Sequence, residues 1–136
     1  MTTSRQIDDI PKEKNRIKIA IVEDHTLLRE SLIKSLNEAF DIQVVFDASN
    51  GVEFFELLKK KKINIALVDL DMPEMDGKEL AEMIKSLSPT TPVLMLTGWG
   101  KQMSLNNEEV PQVDMIMAKP PKPAELESAL RKLCRK

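Results

Sequence analysis

The segment that decides the fold lies near the middle of the chain, where residues 66–77 have the sequence ALVDLDMPEMDG. A short apolar run ends at three aspartates, Asp69, Asp71 and Asp76, with Pro73 between the second and the third. An apolar run of this length that stops at turn-forming residues is typical of a buried strand. Carboxylates at the edge of a core are costly unless a cation offsets their charge. The segment therefore predicts a strand, a turn into a helix that Asp76 helps to start, and a cationic group near the turn.

The composition limits the kinds of protein to consider. With 136 residues, of which 42% are hydrophobic and 31% charged, the chain has the make-up of one globular domain. A net charge of −2 gives no overall field that favours nucleic acid or an anionic membrane as a partner. The single cysteine, Cys134, excludes an internal disulfide and fits a reducing compartment. Because there is no long uncharged apolar run and no signal-peptide pattern, we expect a cytoplasmic protein.

Strand and helix patterns alternate on both sides of the central segment. Apolar runs of strand length occupy residues 17–22, 42–46, 63–68, 93–96 and 115–117. Between them, apolar residues recur three or four positions apart and predict helices, with a weaker stripe over 100–110. The residues that form the four clearer stripes are Leu28, Leu32, Leu36 and Phe40; Phe54 or Phe55 with Leu58; Leu80, Met83, Ile84 and Leu87; and Leu126, Leu130 and Leu133. Residues 1–16 lack periodicity and are expected to be a flexible tail or linker, which leaves 17–136 as the domain.

Five alternating strand–helix units predict an α/β fold, a doubly wound five-stranded parallel sheet with helices on both faces. In such sheets the ligand site lies outside the carboxyl ends of the strands. A polar residue or pair follows every predicted strand, and we expect these groups to meet at one edge of the sheet. In chain order they are Glu23-Asp24, Asp47, Asp69, Thr97-Gly98 and Lys119-Pro120.

The chemistry of these groups predicts a magnesium-dependent phosphate site. Glu23, Asp24 and Asp69 would repel one another unless a divalent cation lay between them, and their hard oxygens suit Mg²⁺. Because Mg²⁺ is usually held by one or two carboxylates together with a phosphate, we expect a phosphate as well. Lys119 offers a cation and Thr97 a hydroxyl for the phosphoryl oxygens. Asp69, at the end of the central strand, is then the nucleophile that attacks phosphorus.

With these motifs in order, the chain from Ile17 to about Leu133 resembles the receiver domain of bacterial response regulators in two-component signalling, either that of a transcriptional regulator or that of a hybrid histidine kinase. The resemblance rests on the acidic pair, on a D-x-x-M-P-x-M-D-G segment over 69–77, on Thr97-Gly98 and on Lys119-Pro120. It implies a flavodoxin-like (βα)5 fold with strand order 2-1-3-4-5. One departure stands at Ile116, where family members often carry an aromatic residue.

The resemblance also implies a function. Asp69 would accept a phosphoryl group from a histidine kinase or a histidine phosphotransfer protein. Asp24 and Asp69 would ligate Mg²⁺ directly, Glu23 through a water, and Asp71 through its backbone carbonyl, with the Lys119–Pro120 peptide in the cis form. The domain would be a signalling element rather than an enzyme, although it would assist its own phosphorylation and dephosphorylation. Its output to an effector protein would be a shift of the fourth and fifth strand–helix units, without direct contact to nucleic acid or membrane, and a homodimer stays open.

Two other functions remain as alternatives at this stage. A phosphatase of the haloacid-dehalogenase type would use Asp69-x-Asp71, a Thr and a Lys with Mg²⁺, but in that family the Asp-x-Asp ends the first strand. Here two strand–helix units precede Asp69. The second alternative is a degenerate module that keeps the fold and binds partners without being phosphorylated.

Overall fold

The computed structural model describes residues 16–98 and 112–134. Most of the predicted tail and the weak helix predicted over 100–110 lie outside these residues. Among the described residues, none of the helices is long and apolar enough to cross a bilayer. In chain order the elements are β1 (Ile17–Val22), α1 (Thr26–Glu38), β2 (Ile42–Ala48), α2 (Gly51–Leu58), β3 (Ile65–Asp69), α3 (Gly77–Leu87), β4 (Val93–Thr97), β5 (Met115–Ala118) and α4 (Pro123–Cys134).

The five strands form one parallel sheet in the order β2-β1-β3-β4-β5. This confirms the predicted flavodoxin-like topology. β3 lies at the centre and every one of its residues is buried. The order reverses between β1 and β3, which are hydrogen-bonded neighbours with Val22 opposite Val68. In open α/β sheets a crevice for ligands forms at such a reversal, outside the carboxyl ends of the strands.

Two apolar cores cover the two faces of the sheet, and side chains alternate between them along each strand. Ala66 and Val68 of β3 lie in one core, while Ile65 and Leu67 lie in the other. The first core receives side chains from α2 and α3, and the second receives side chains from α1 and α4. Each fully buried leucine or isoleucine contributes about 1.5–3 kcal/mol relative to an exposed one. Burial on both faces explains why the central strand is continuously apolar.

Capping residues fix the starts of the helices that follow β1 and β3. Asp76 caps α3: its Oδ1 accepts a hydrogen bond from the N–H of Glu79 at 2.9 Å, and Glu79 Oε1 accepts one from the N–H of Asp76 at 3.3 Å. The predicted role of Asp76 is therefore confirmed. His25 caps α1, where its Nδ1 accepts from the N–H of Leu28 at 3.4 Å. A side-chain cap of this kind contributes about 1 kcal/mol.

The predicted apolar stripes are wrong at two positions, both at the ends of helices. Phe40 is 68% exposed because α1 ends at Glu38 and Ala39 adopts an extended backbone that leads into β2. Ile42, two residues later, takes the buried place. Leu87 is 47% exposed as the last residue of α3. The three- and four-residue spacing predicted burial at both positions, although neither side chain faces the core there.

Candidate functional site

The acids predicted to follow the first and third strands lie side by side at the carboxyl edge of the sheet. β1 ends one residue before Glu23, Asp69 is the last residue of β3, and these two strands are direct neighbours. Glu23, Asp24 and Asp69 each offer a carboxylate oxygen, and these oxygens lie within 4.8 Å of one another. Parallel pairing brings the three acids together because adjacent strands in a parallel sheet end at the same edge.

Burial distinguishes the three acids. Glu23 and Asp69 are fully buried, whereas Asp24 is exposed. Within the described part of the chain, Asp69 Oδ2 and Glu23 Oε1 have no hydrogen-bond partner. A buried polar atom without a partner costs about 1–3 kcal/mol, and more when it is charged. Two such oxygens beside an exposed carboxylate form a hard-oxygen donor set of the kind that Mg²⁺ prefers.

Lys119 is the cation of the site. Its Nζ lies 2.8 Å from Asp69 Oδ1 and 3.6 Å from Glu23 Oε1. Its backbone N–H donates to the carbonyl of Thr97 at 2.8 Å, and the Lys119–Pro120 peptide that follows is cis. Burial opposes the charge of the ammonium group, but the hydrogen bond to Asp69 and the nearby carboxylates outweigh it and raise the pKa of Lys119.

The buried carboxyls hold protons more tightly than usual. Burial, together with the neighbouring charge of Asp69, raises the pKa of Glu23 to about 7, although Lys119 acts in the opposite direction. Burial also raises the pKa of Asp69, against hydrogen bonds with Lys119, with the Glu23 carboxyl and with the backbone N–H of Asp71. Without a metal ion, the pair of buried acids therefore keeps a proton that exposed carboxyls would lose.

Thr97 and Asp71 occupy the side of the site next to β4. Thr97 is the buried last residue of β4, and its Oγ1 has no hydrogen-bond partner within the described ranges. The N–H of Asp71 donates to Asp69 Oδ1 at 3.1 Å. The Asp71 carboxylate lies beside Gly98, where an added Cβ would be 3.4 Å from Oδ2. The close acidic group formed by described residues does not include this carboxylate.

Sequence reasoning missed Arg29. Its Nη1 donates to the backbone carbonyl of Glu23 at 2.8 Å, and its Nε donates to Asp47 Oδ2 at 3.1 Å. Asp47 was predicted to follow the second strand, but it lies within β2 and pairs with Arg29 instead of joining the acidic group. Arg29 therefore connects the loop that carries the acidic pair to α1 and β2. The available signal was a basic residue one turn into the helix after that pair.

The sequence predicted that Asp76 and Gly77 turn the chain into the third helix, but not that Gly77 packs against the backbone of Asp69. A Cβ at this position would lie 2.6 Å from the carbonyl oxygen of Asp69 and 2.8 Å from Leu70 Cα, closer than real atoms approach. The N–H of Gly77 donates to the carbonyl of Leu70 at 3.0 Å. The first turn of α3 therefore packs directly on the backbone that positions Asp69, which only glycine permits. A glycine directly after a helix cap was the signal for this contact.

The family model for the response regulator receiver domain matches residues 19–131. The chain belongs to this family. A receiver is consistent with the acidic edge, with the lysine and threonine at the neighbouring strand ends and with the strand order. Neither the family match nor the position of Asp69 in the third strand favours the phosphatase alternative.

The match to individual relatives covers different shares of their length. The structure of the receiver domain of AraT, a response regulator from Geobacillus stearothermophilus, is 30% identical with a TM-score of 0.75, and the match covers 87% of this chain and 92% of that one. A protein-glutamate methylesterase/protein-glutamine glutaminase from Methanococcus maripaludis is 39% identical over 66% of this chain and 24% of its own length. The response regulator VraR of Staphylococcus saprophyticus is 30% identical over 85% of this chain and 56% of its own length. The receiver chain thus spans a quarter to just over half of these curated relatives.

Proposed function

We propose that this receiver takes a phosphoryl group from a phosphohistidine onto Asp69 in a Mg²⁺-dependent reaction. The donor is a histidine kinase or a histidine phosphotransfer protein, and the reaction takes place in the cytoplasm. The observation that carries the proposal is the asymmetry of the buried Asp69 carboxylate. Lys119 and the N–H of Asp71 hold Oδ1, whereas Oδ2 has no hydrogen-bond partner among the described residues. One oxygen is held in place while the other is available to attack phosphorus.

The residues at the acidic edge fit a magnesium ion. The fit rests on Glu23 Oε1, which is buried and has no hydrogen-bond partner among the described residues, and on the carboxylates of Asp24 and Asp69 close to it. Asp24 and Asp69 would hold the ion directly, Glu23 through a water, and Asp71 through its backbone carbonyl. When bound, Mg²⁺ supplies positive charge that offsets the phosphoryl oxygens during transfer.

In the proposed transfer, a bond forms between Asp69 Oδ2 and phosphorus while the phosphorus–nitrogen bond of the donor breaks. The electron pair of that bond goes to the imidazole, which leaves as the neutral donor after taking up a proton from solvent. The Lys119 ammonium group exchanges its bond to Asp69 for one to a phosphoryl oxygen. The Thr97 hydroxyl donates to another phosphoryl oxygen and so gains the partner that its buried Oγ1 lacks among the described residues.

Phosphorylation then changes the packing of the β4 and β5 side of the domain. The new group carries about 1.5–2 negative charges, which draw Thr97 and Lys119 toward Asp69. Thr97 ends β4 and Lys119 directly follows β5, and the Lys119 N–H is bonded to the Thr97 carbonyl at 2.8 Å, so the two strand ends move together. Ile116 packs against the first core, so packing rather than an aromatic ring transmits the shift. We propose that a downstream effector protein or domain recognises this altered face.

Incubation with acetyl phosphate and Mg²⁺, followed by intact mass measurement, tests the proposal. We expect the wild type to gain one phosphoryl group and Asp69→Asn to gain none, and we expect EDTA to prevent the gain. Asp76→Asn is the matched control, since asparagine also caps helices, and it should gain the group as the wild type does. A phosphoryl group on Asp69→Asn, or a gain that EDTA leaves unchanged, would contradict the proposal.

This experiment, together with an assay of p-nitrophenyl phosphate hydrolysis, separates the alternatives. A degenerate module would gain no phosphoryl group under any condition. A phosphatase would turn over p-nitrophenyl phosphate many times, whereas a receiver keeps the group on Asp69 and shows no sustained turnover.

A further inference from the structure

A cavity of about 500 Å³ lies at the end of the sheet opposite the acidic site. One wall is formed by residues 58, 59 and 61–64, between the end of α2 and the start of β3, and the other by residues 87, 88, 90 and 91, between α3 and β4. All strands are parallel, so this is the edge where β3 and β4 begin rather than end. A cavity of this volume is in the range that holds a small organic ligand.

The charge of the lining is entirely positive. Among residues 16–98 and 112–134, Lys59, Lys61 and Lys62 line the cavity and no carboxylate does. Lys59 already pairs with Glu56 at 3.2 Å. Among the ion pairs formed within the described residues, none involves Lys61 or Lys62. In a chain whose net charge is −2, the cavity lining is therefore a local concentration of positive charge, which favours anions.

Carbonyl groups at the ends of the two helices beside the cavity are hydrogen-bonded without the ammonium groups of these lysines. Backbone N–H groups already bond two of the last-turn carbonyls: the carbonyl of Leu57 accepts from the N–H of Lys61 at 3.1 Å, and that of Ile84 accepts from the N–H of Ser88 at 2.7 Å. The ammonium groups of Lys61 and Lys62 are therefore not required to hydrogen-bond these carbonyls. Their charges remain available to a ligand.

Neutral groups complete the lining. Apolar surface comes from Leu58, Ile63 and Leu87. Hydroxyls come from Ser88, Thr90 and Thr91, and the oxygens of Ser88 and Thr91 are hydrogen-bonded at 2.6 Å. Asn64 adds an amide whose oxygen accepts from the N–H of Lys18 at 2.7 Å, which leaves its NH₂ group to donate. The cavity therefore combines cations and neutral donors with an apolar surface.

We propose that this cavity binds a small organic phosphate. The phosphate group meets Lys61 and Lys62, and the organic part lies on the apolar surface. Inorganic phosphate would contact only the lysines, whereas a nucleotide or a sugar phosphate would also contact the neutral groups of the lining. The site is separate from Asp69 and does not depend on the phosphoacceptor reaction.

Titration of the chain in EDTA with ADP, fructose 1,6-bisphosphate, pyrophosphate and adenosine tests this site, with backbone amide NMR as the readout. We expect saturable binding of ADP or the sugar bisphosphate, with a Kd below about 1 mM, and shifts confined to residues 58–64 and 87–91. Lys61→Gln and Lys62→Gln should each weaken binding about tenfold, because each removes a charge-assisted contact. ADP binding tighter than the sugar bisphosphate identifies a nucleotide, and the reverse order identifies a sugar phosphate.

Lys60→Gln provides a matched control, because Lys60 belongs to the same lysine run but does not line the cavity. It should bind the ligand within about twofold of the wild type, since the charge change is the same but the contact is absent. An equal loss of binding in all three variants would overturn the proposal, as would chemical shift changes at residues 23–24 and 69 instead of around the cavity. The proposal would also fail if pyrophosphate bound as tightly as either organic phosphate, or if adenosine bound as tightly as ADP. Absence of saturable binding would overturn it as well.

Discussion

The ammonium nitrogen of Lys119 lies 2.8 Å from Oδ1 of Asp69 and 3.6 Å from Oε1 of Glu23. One cation that follows β5 thus faces two buried acids, one at the end of β3 and one directly after β1. It is bonded to one oxygen of Asp69 and leaves the other without a partner among the described residues. This unequal treatment of the two carboxylate oxygens is the basis of the predicted chemistry.

Replacing Lys119 with methionine should slow phosphorylation by acetyl phosphate about a hundredfold at saturating Mg²⁺, because a charge that offsets the phosphoryl oxygens is lost. The rate is measured by intact mass against time. Lys122→Met, three residues later and exposed, is the control and should react at the wild-type rate. Equal rates for Lys119→Met and the wild type would show that the ammonium group does not take part.

Glu23→Gln should alter how stability depends on pH when no metal is bound. Burial raises the pKa of Glu23 from 4.5 to about 7 in the folded protein. Between these two values the unfolded chain releases a proton that the folded protein keeps, so the wild type loses stability as the pH rises through this window. Glutamine does not titrate, so Glu23→Gln lacks this loss. In EDTA, the free energy of unfolding of Glu23→Gln minus that of the wild type should therefore rise by about 2 kcal/mol between about pH 5 and pH 8.

Chemical denaturation at both pH values provides the measurement. Saturating Mg²⁺ at the higher pH should stabilise the wild type more than the variant, since binding to the folded state adds stability. Glu56→Gln, which changes an exposed glutamate, should follow the wild-type profile. If the wild type and Glu23→Gln kept a constant difference across this range, the raised pKa would be refuted.

Arg29 is predicted to position the acidic loop through its bond to the Glu23 carbonyl. Arg29→Gln should weaken Mg²⁺ binding about tenfold, as loss of a residue that orients metal ligands commonly does. If only the charge of Arg29 mattered, Arg29→Gln would instead strengthen Mg²⁺ binding, because it removes a nearby cation that repels the metal ion. Calorimetric titration with Mg²⁺ distinguishes the two, and Lys34→Gln, exposed on the same helix, controls for the charge change. Tighter binding by Arg29→Gln would rule out the positioning role.

Gly77→Ala should destabilise the fold by about 1–3 kcal/mol, because its Cβ would meet rigid backbone atoms of Asp69 and Leu70. Gly51→Ala is the matched control, since Gly51 is also the first residue of its helix. There the new Cβ would lie 2.7 Å from Met75 Sδ, the far part of a flexible side chain that can move, so the cost should be below about 1 kcal/mol. Thermal and denaturant unfolding of both variants supply the comparison, and equal costs would contradict the close approach at Gly77.

Much of this fold could be predicted from residues that act locally. The run 17–22 coincides with β1, and residues 93–96 fall one short of the end of β4. Asp76 signalled the start of α3 because a cap acts within three residues of its own position. Phe40 marks the limit of this reasoning. Its spacing fits the stripe of α1, but the helix ends before it, and whether a side chain faces the core depends on the path of the next strand.

The sequence by itself determined which chemical groups end the strands, and parallel pairing was enough to predict that Glu23, Asp24 and Asp69 would meet. Only the tertiary structure decided which oxygens have partners, that burial raises the pKa of Glu23 to about 7, and that Arg29 reaches the Glu23 carbonyl. The spacing of apolar residues predicts the type and order of helices and strands, because backbone hydrogen bonds and buried positions recur at regular intervals within each element. Distances between atoms of separate elements set the electrostatics and the close contacts, and these distances arise only when the sheet and its helices pack together.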